Sequence, residues 1–231
     1  MQHAAAENFY RHLPRQARSR ERVARIMQAT RRLLERDGLQ RLTTNHIARE
    51  AGVDIASLYQ YFSGKEAILY TLAEAWIEDV QAVYARHQSL IIGGQPLVVS
   101  LRAILAEVDG LPDNDWNWRH LAGPMTIVPV LIELEREHEA VTTAFWTAVL
   151  RWYGARGDDD ALEALARMFY VQIDSALTLA ARLPPRQAAH VRQWQRRQSV
   201  ALLRECFPRR QRGAGESPQR RGVNRSTVGT G

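Results

Sequence analysis

The segment between residues 44 and 61 constrains the fold of this chain more than any other. Two very short helical patterns, Thr44–Ala51 and Ile55–Tyr61, are separated by a tight turn around Gly52. A glycine can take the left-handed backbone conformation that such a turn needs. Two short helices at this separation have the dimensions of a helix-turn-helix, a motif that places its second helix in the major groove of DNA.

The side chains of this segment divide into an apolar set and a polar set. Ile47, Ala48, Ala51, Val53 and Leu58 are expected to face inward, onto a first helix predicted for residues 19–37. The other side chains are polar or carry hydroxyl groups, which is the chemistry that contacts phosphates and base edges. They are Thr43, Thr44, Asn45, His46, Ser57, Tyr59, Gln60 and Tyr61.

Helical periodicity continues along the chain, and no alternating pattern typical of a β-strand occurs. Ser63 and Glu66 predict a capping box at the start of a long helix that ends near residue 88. A loop is expected to begin at Gly110. Further helices are predicted at about 97–108, 160–182 and 185–206, and a helix or broken helix, bent near Pro129, at about 125–153. The sequence therefore predicts an all-α fold, in which a three-helix N-terminal head with the helix-turn-helix precedes a helical C-terminal body.

Positive charge is concentrated at the two ends of the chain. Residues 1–66 hold 12 Lys and Arg against 7 Asp and Glu, residues 67–207 hold 13 against 17, and residues 208–231 hold 6 against 1. A basic head suits a polyanion such as DNA. We therefore divide the chain into a flexible basic arm at 1–18, a helix-turn-helix domain at 19–66, a helical body at 67–207 and a disordered basic tail at 208–231.

The residues from Thr44 to Glu66 resemble a known family. Thr44-x-x-Ile47-Ala48-x-x-Ala51-Gly52-Val53, followed by Ser57-Leu58-Tyr59-x-Tyr61-Phe62-x-x-Lys65-Glu66, is similar to the DNA-binding module of the TetR family of bacterial repressors. The similarity covers about residues 19–75. Beyond residue 75 it rests only on the order of the helices and on the total length.

The resemblance implies DNA contacts at named positions. It implies that Thr44 contacts a phosphate and that Lys65, at the N-terminus of the fourth helix, clamps the DNA backbone, where a helix N-terminus and an ammonium group together bind anions. Asn45 belongs to the same outward-facing polar set. The resemblance places in or beside the major groove Ile55, Ala56, Ser57, Tyr59, Gln60 and Tyr61. Gln60 could pair with adenine, and Ile55 could contact a thymine methyl group.

For Asp54 and for the aromatic pair Tyr61 and Phe62, the sequence allows two different roles. Asp54 is acidic beside DNA, and it either caps the recognition helix or accepts a hydrogen bond from cytosine. Tyr61 and Phe62 are either part of the DNA-binding surface or core aromatics.

For the body at 67–207, the resemblance implies effector binding and dimerisation. It assigns the homodimer contact to the last two helices, at about 160–206. A helix at 160–182 that is apolar or small nearly all round needs cover on both sides, which supports this assignment. Aromatic-lined cavities bind flat or apolar molecules well. We therefore predict a pocket for a small apolar or aromatic ligand at Trp76, Trp116, Trp118 and Trp146, with core packing of these rings as the alternative.

The whole pattern predicts a cytoplasmic repressor that binds a palindromic operator in double-stranded DNA and is released by a small molecule. The alternative is an activator or regulator without an effector. A helical-bundle enzyme would need more than the single Glu135-x-x-His138, because di-metal bundles use this spacing twice. We interpret it as a surface charge run and predict no catalytic residue, metal or cofactor. A lone Cys206 and the absence of a membrane-length apolar stretch fit the reducing cytoplasm without a membrane partner.

Overall fold

The computed structural model of the protein describes residues 17–207. Nearly all of the predicted arm at 1–18 and all of the predicted tail at 208–231 lie outside the described residues. Ten α-helices and no β-strand occur between residues 17 and 207, which confirms the all-α prediction. They are α1 (Ala17–Asp37), α2 (Thr44–Ala51), α3 (Ile55–Tyr61), α4 (Lys65–Ile92), α5 (Leu97–Asp109), α6 (Asn114–His120), α7 (Ala122–Met125), α8 (Pro129–Trp152), α9 (Asp159–Ala181) and α10 (Pro185–Glu205).

The head is built from α1, α2 and α3, which pack around a small apolar core. Its centre contains Ile26 of α1, Ile47 of α2 and Leu58 of α3, each fully buried. Burying one such side chain contributes about 1.5–3 kcal/mol. Ala48 and Ala51 are buried at the packing face of α2, where α1 and α2 lie against each other. The inward-facing set predicted from the sequence thus fixes the orientation of the two short helices.

Helix α4 connects the head with the body without a break. Its 28 residues span about 42 Å at the standard rise of 1.5 Å per residue. Residues 67–73 are all buried, because α4 is surrounded on entering the body. The predicted capping box is wrong: α4 begins at Lys65 with Gly64 as its N-cap residue, and no side chain caps it. Ser63 therefore lies one residue too early to cap the first turn.

The body is a helical bundle in which α9 packs against both α8 and α10, and α4 packs against α5 and α8. Trp146 of α8 and Phe169 of α9 meet edge to face at its centre, with ring centroids 4.9 Å apart. The side chain of Asp158 caps α9 by accepting a hydrogen bond from the Ala161 backbone N–H at 2.9 Å. A carboxylate at this position also favours the positive end of the helix.

The chain between residues 110 and 129 is more ordered than the sequence predicts. The loop that begins at Gly110 ends after four residues, because Asp113 takes a left-handed conformation (φ 56°) and α6 starts at Asn114. The helix predicted from residue 125 is interrupted, and Pro129 is the first residue of α8. Proline is favoured at a first helical position because its missing N–H has no partner there.

Candidate nucleic-acid interface and buried cavity

The turn between α2 and α3 is held by the geometry of Gly52 and by one side-chain cap, Asp54. Gly52 has φ 64° and ψ 39°, in the left-handed region, and its N–H closes the end of α2 on the carbonyls of Ala48 and Arg49. Asp54 accepts a hydrogen bond from the Ser57 backbone N–H at 2.7 Å, and the Ser57 hydroxyl donates to its other oxygen. These bonds hold the pKa of Asp54 below its usual value. The capping role of Asp54 is confirmed.

The outer surface of α2 and α3 carries most of the predicted DNA-contacting residues. The hydroxyl groups of Thr44 and Tyr59 lie 3.1 Å apart and form a hydrogen bond between the two helices. Tyr59 is 40% exposed. Of the remaining predicted positions, Asn45, Ala56 and Gln60 are exposed, and Ile55 and Ser57 are partly exposed. This surface therefore offers hydroxyl and amide groups to a groove of DNA.

Two predicted contact residues have other partners in the structure. Tyr61 is 7% exposed and Phe62 is fully buried, so both rings pack in the core of the head. The core interpretation thus describes the position of Tyr61 better than a groove contact does. The ammonium group of Lys65 donates a hydrogen bond to the Leu42 carbonyl at 3.2 Å. Lys65 is only partly buried, and it ties the N-terminus of α4 to the segment before α2.

Acidic groups on the head are matched by arginines. Glu50 pairs with Arg32 at 2.9 Å and with Arg36 at 3.4 Å, and Asp37 pairs with Arg36 at 2.9 Å. The hydrogen bonds from Arg32 and Arg36 lower the pKa values of Glu50 and Asp37. These two carboxylates are therefore neutralised locally, and the positive balance of the head can act on a polyanion.

A cavity of about 440 Å³ lies in the body between α4, α6, α8 and α9. Its walls include three of the four tryptophans proposed for ligand binding, namely Trp76, Trp118 and Trp146. The rings of Trp76 and Trp118 meet edge to face with centroids 4.7 Å apart. The Trp76 indole N–H donates to the Asn114 side-chain oxygen at 3.1 Å. The structure does not bring Trp116 to the cavity, because its ring lies under the guanidinium of Arg31.

One end of the cavity is polar. Glu135 and His138 of α8 and Tyr170 and Asp174 of α9 line it together. The Tyr170 hydroxyl donates a hydrogen bond to Glu135. Burial raises the pKa of Glu135, raises that of Asp174 to about 6 and lowers that of His138 to about 4. Among residues 17–207, no group of three or more His, Cys, Asp or Glu side chains is arranged to hold a metal ion.

A comparison with protein-family models identifies the head. Residues 26–71, from the middle of α1 into α4, match the model described as bacterial regulatory proteins, tetR family. The matched segment spans the helix-turn-helix and the start of α4, so the head is identified as the N-terminal module of this family.

Solved structures of transcriptional regulators share the fold over most of the chain. A transcriptional regulator from Rhodococcus sp. Rha1 is 20% identical, with a TM-score of 0.64, and the match covers 80% of this chain and 99% of that one. A TetR-family regulator from Streptomyces coelicolor is also 20% identical, with a TM-score of 0.62 and coverage of 81% and 96%. FadR from Thermus thermophilus, a repressor solved in complex with lauroyl-CoA, is 20% identical, with a TM-score of 0.56 and coverage of 80% and 95%.

Two negative results accompany these matches. No curated protein matches the sequence. None of the helices between residues 17 and 207 is both long enough and apolar enough to cross a membrane.

The sequence interpretation does not find the acidic end of the cavity in the body. The sequence pattern favours a surface charge run for Glu135 and His138, and this interpretation is wrong, because the structure places both on the cavity wall. The signal was present: Leu131, Glu135, His138 and Thr142 follow one another at spacings of four, three and four, which is one face of a helix. Leu131 and Thr142 are buried, so this face of α8 points inward.

Proposed function

We propose that the protein is a repressor that binds a palindromic operator as a homodimer and leaves it when a small molecule occupies the cavity. The observation that carries this proposal is the course of α4. The helix begins at Lys65, beside the helix-turn-helix, and its side chains Trp76, Ile77, Val80 and Tyr84 line the cavity. A ligand against these side chains therefore contacts the same rigid element that supports the reading head.

The homodimer is supported by an uncovered apolar stripe on α9. Ala164, Met168, Val171, Ser175 and Leu179 are exposed and follow one another at spacings of three and four, so they share one face of the helix. Met168, Val171 and Leu179 are each about half exposed, at 50%, 51% and 50%. Contiguous apolar surface of this kind marks an interaction site. Trp194 of α10 is 64% exposed and extends the apolar character to the neighbouring helix.

Ligand binding is supported by polar groups on the cavity wall that are left without partners. Within the described part of the chain, no hydrogen bond reaches the indole nitrogen of Trp118 or Nδ1 of His138, although both atoms are buried. Buried polar atoms normally have a partner, and a bound molecule can supply it. The complex of FadR from Thermus thermophilus with lauroyl-CoA gives a ligand-bound example of this fold.

Release follows from the geometry of a dimer on DNA. Two recognition helices must meet half-sites about 34–36 Å apart, or a multiple of that distance. A ligand that moves α4 by a few ångströms in each protomer would spoil this match. The ligand must bind the DNA-free form more tightly, because equal affinity for both forms shifts nothing. A 100-fold preference supplies about 2.7 kcal/mol per site.

The test combines operator selection with a ligand screen. Selection from random DNA should return a palindrome, and thermal shift should find compounds that raise the melting temperature. Such a compound should also weaken operator binding in fluorescence anisotropy, whereas a DNA-binding control lacking the cavity should not respond. A protein that binds DNA but keeps its operator affinity with every stabilising compound would contradict the release mechanism and favour a regulator without an effector.

A further inference from the structure

The cavity combines aromatic walls with two acidic side chains. Trp76, Trp118 and Trp146 line it together with Tyr84 and Tyr170. Glu135 and Asp174 lie at its polar end, on α8 and α9. A wall of aromatic faces beside a carboxylate is the surrounding that a cation prefers, because the ring quadrupole and the negative charge both attract it.

Neither of the two carboxyl groups is paired with a basic side chain of residues 17–207. In the described part of the chain, neither Glu135 nor Asp174 forms an ion pair. The only hydrogen bond to Glu135 comes from Tyr170, and no hydrogen bond from residues 17–207 reaches the Asp174 side chain. Buried carboxylates are normally paired or hydrogen-bonded, since desolvation penalises the charged form. The negative charge of Glu135 also penalises ionisation of Asp174, and that of Glu139 penalises ionisation of Glu135, because like charges repel.

The basic residues on the cavity wall do not reverse the negative charge that the two carboxyl groups give the cavity. His138 is neutral at physiological pH, since burial lowers its pKa to about 4. Arg182 is the other basic residue of the cavity wall, and it is exposed, so that water and salt screen its charge. The interior of the cavity is therefore acidic.

We propose that the molecule which releases this regulator from DNA is an amphipathic organic cation. This proposal rests on the proposed function and narrows the class of its ligand. The positive charge of the ligand lies against Glu135 and Asp174, and its apolar or aromatic body fills the space between Trp76, Trp118 and Trp146. Such a ligand replaces the missing counter-charge and is attracted by the aromatic faces. A neutral molecule gains only burial of its apolar area, and an anion meets two negative charges.

A pair of ions of nearly equal shape tests this directly. Tetraphenylphosphonium and tetraphenylborate both present four phenyl rings and differ in the sign of their charge. Titration calorimetry with the full chain in sodium buffer at pH 7.5 should show tetraphenylphosphonium binding at least about tenfold more tightly than tetraphenylborate. Equal binding, tighter binding of the anion, or binding of neither ion would overturn the proposal.

Variants of Glu135 and Asp174 test whether their charges cause the preference for the cation over the anion. Glu135→Gln together with Asp174→Asn keeps the shape of both side chains and removes both charges. The double variant should lose about tenfold in affinity for tetraphenylphosphonium and should not lose affinity for tetraphenylborate. Glu133→Gln is the matched control, because this glutamate lies two residues away on α8 and its side chain is 66% exposed. Circular dichroism should show the double variant folded, since the change relieves the burial of charge.

The failure of this proposal can be distinguished from a failure of the proposed function. If both ions bind alike and both release the operator, the repressor mechanism stands and the cation preference is wrong. If tetraphenylphosphonium binds in a way that depends on Glu135 and Asp174 but the operator stays bound, the cation site is supported and the release mechanism is contradicted. If the double variant binds tetraphenylphosphonium as tightly as the unsubstituted protein does, the cation proposal is wrong.

Discussion

The guanidinium carbon of Arg31, on α1, lies 4.3 Å from the centre of the Trp116 ring on α6. The same group donates hydrogen bonds to Asp113 at 2.6 Å and to Asn117 at 3.4 Å. Helix α6 also carries Trp118, which lines the cavity. Arg31 therefore joins the first helix of the head to a cavity wall by a route that is separate from α4.

We expect Arg31→Ala to weaken the communication between ligand and DNA. The substitution removes a cation–π contact and an exposed ion pair, which together contribute about 1 kcal/mol. The factor by which a cavity ligand weakens operator binding should therefore fall roughly fivefold, whereas the affinity of the ligand itself should stay the same. Anisotropy titrations of operator DNA with and without a ligand found by thermal shift measure this factor.

Arg86→Ala is the control for this experiment. Arg86 pairs with Glu107 on the surface of the body, so its loss removes an arginine–carboxylate pair without touching the contact between head and body. An unchanged coupling factor in Arg31→Ala would show that α6 does not transmit the signal and would leave α4 as the only route.

Substitutions on the outer face of α3 should have two different effects, because one residue positions the head on DNA and another contacts the bases. Tyr59→Phe removes the hydroxyl that is bonded to Thr44, so it should weaken binding to all DNA sequences alike. Gln60→Ala should change which bases are preferred, because its exposed amide can reach base edges and each good base contact is worth about 1–3 kcal/mol. Selection from random DNA with each variant measures both effects. Gln28→Ala, exposed on α1, is the control, and an unchanged motif for Gln60→Ala would refute the reading role.

The head could be predicted from the sequence because its signals are local. The observed bounds of α2 and α3 are those expected from a glycine turn flanked by two short apolar patterns. The sequence leaves Asp54 open between a helix cap and a base contact, and only the structure shows its hydrogen bonds to Ser57. Tyr61 could not be placed from the pattern, since a ring at the end of a seven-residue helix can point either way.

The body was predicted less well because its site is assembled from distant parts of the chain. Trp116 and Trp118 are two residues apart, yet one contacts Arg31 and the other lines the cavity. Sequence spacing shows that they lie on different sides of α6, but not which side faces the cavity. Asp174 becomes significant only because α9 packs against α8 and brings it to the same cavity as Glu135.

The homodimer should depend on the exposed stripe of α9 rather than on its buried face. Phe169 and Leu177 are 1% and 4% exposed and pack inside their own protomer, so charges there would damage the fold itself. Val171→Glu places a charge on the outward face and should leave the protomer folded. Sedimentation at micromolar concentration should then show a monomer, and operator affinity should fall by at least about tenfold, because one head reads one half-site.

Val99→Glu is the matched control for this variant. Val99 lies on α5 and is 51% exposed, as Val171 is, but it stands apart from the apolar stripe. It should remain dimeric and bind DNA normally. A dimer that survives Val171→Glu, or an unsubstituted protein that sediments as a monomer, would contradict the assignment of the interface to α9.

The stability gained from Asp174→Asn should depend on pH in a defined direction. Burial and the nearby Glu135 raise the pKa of Asp174 from 3.8 to about 6, so in the folded protein its ionised form is penalised. Below about pH 4 the carboxyl is protonated in both the folded and the unfolded chain, and the asparagine should make little difference. Between pH 4 and 6 the unfolded chain loses the proton first, which destabilises the folded state, and above pH 6 this loss is complete. Urea unfolding from pH 4 to 8 should therefore show a stabilisation by Asp174→Asn that grows up to about pH 6 and then levels off. The control is Asp79→Asn on the exposed face of α4, for which no such rise is expected. A gain for Asp174→Asn that is constant with pH, or one that shrinks as the pH rises, would mean that the Asp174 carboxyl is not held in a desolvated site.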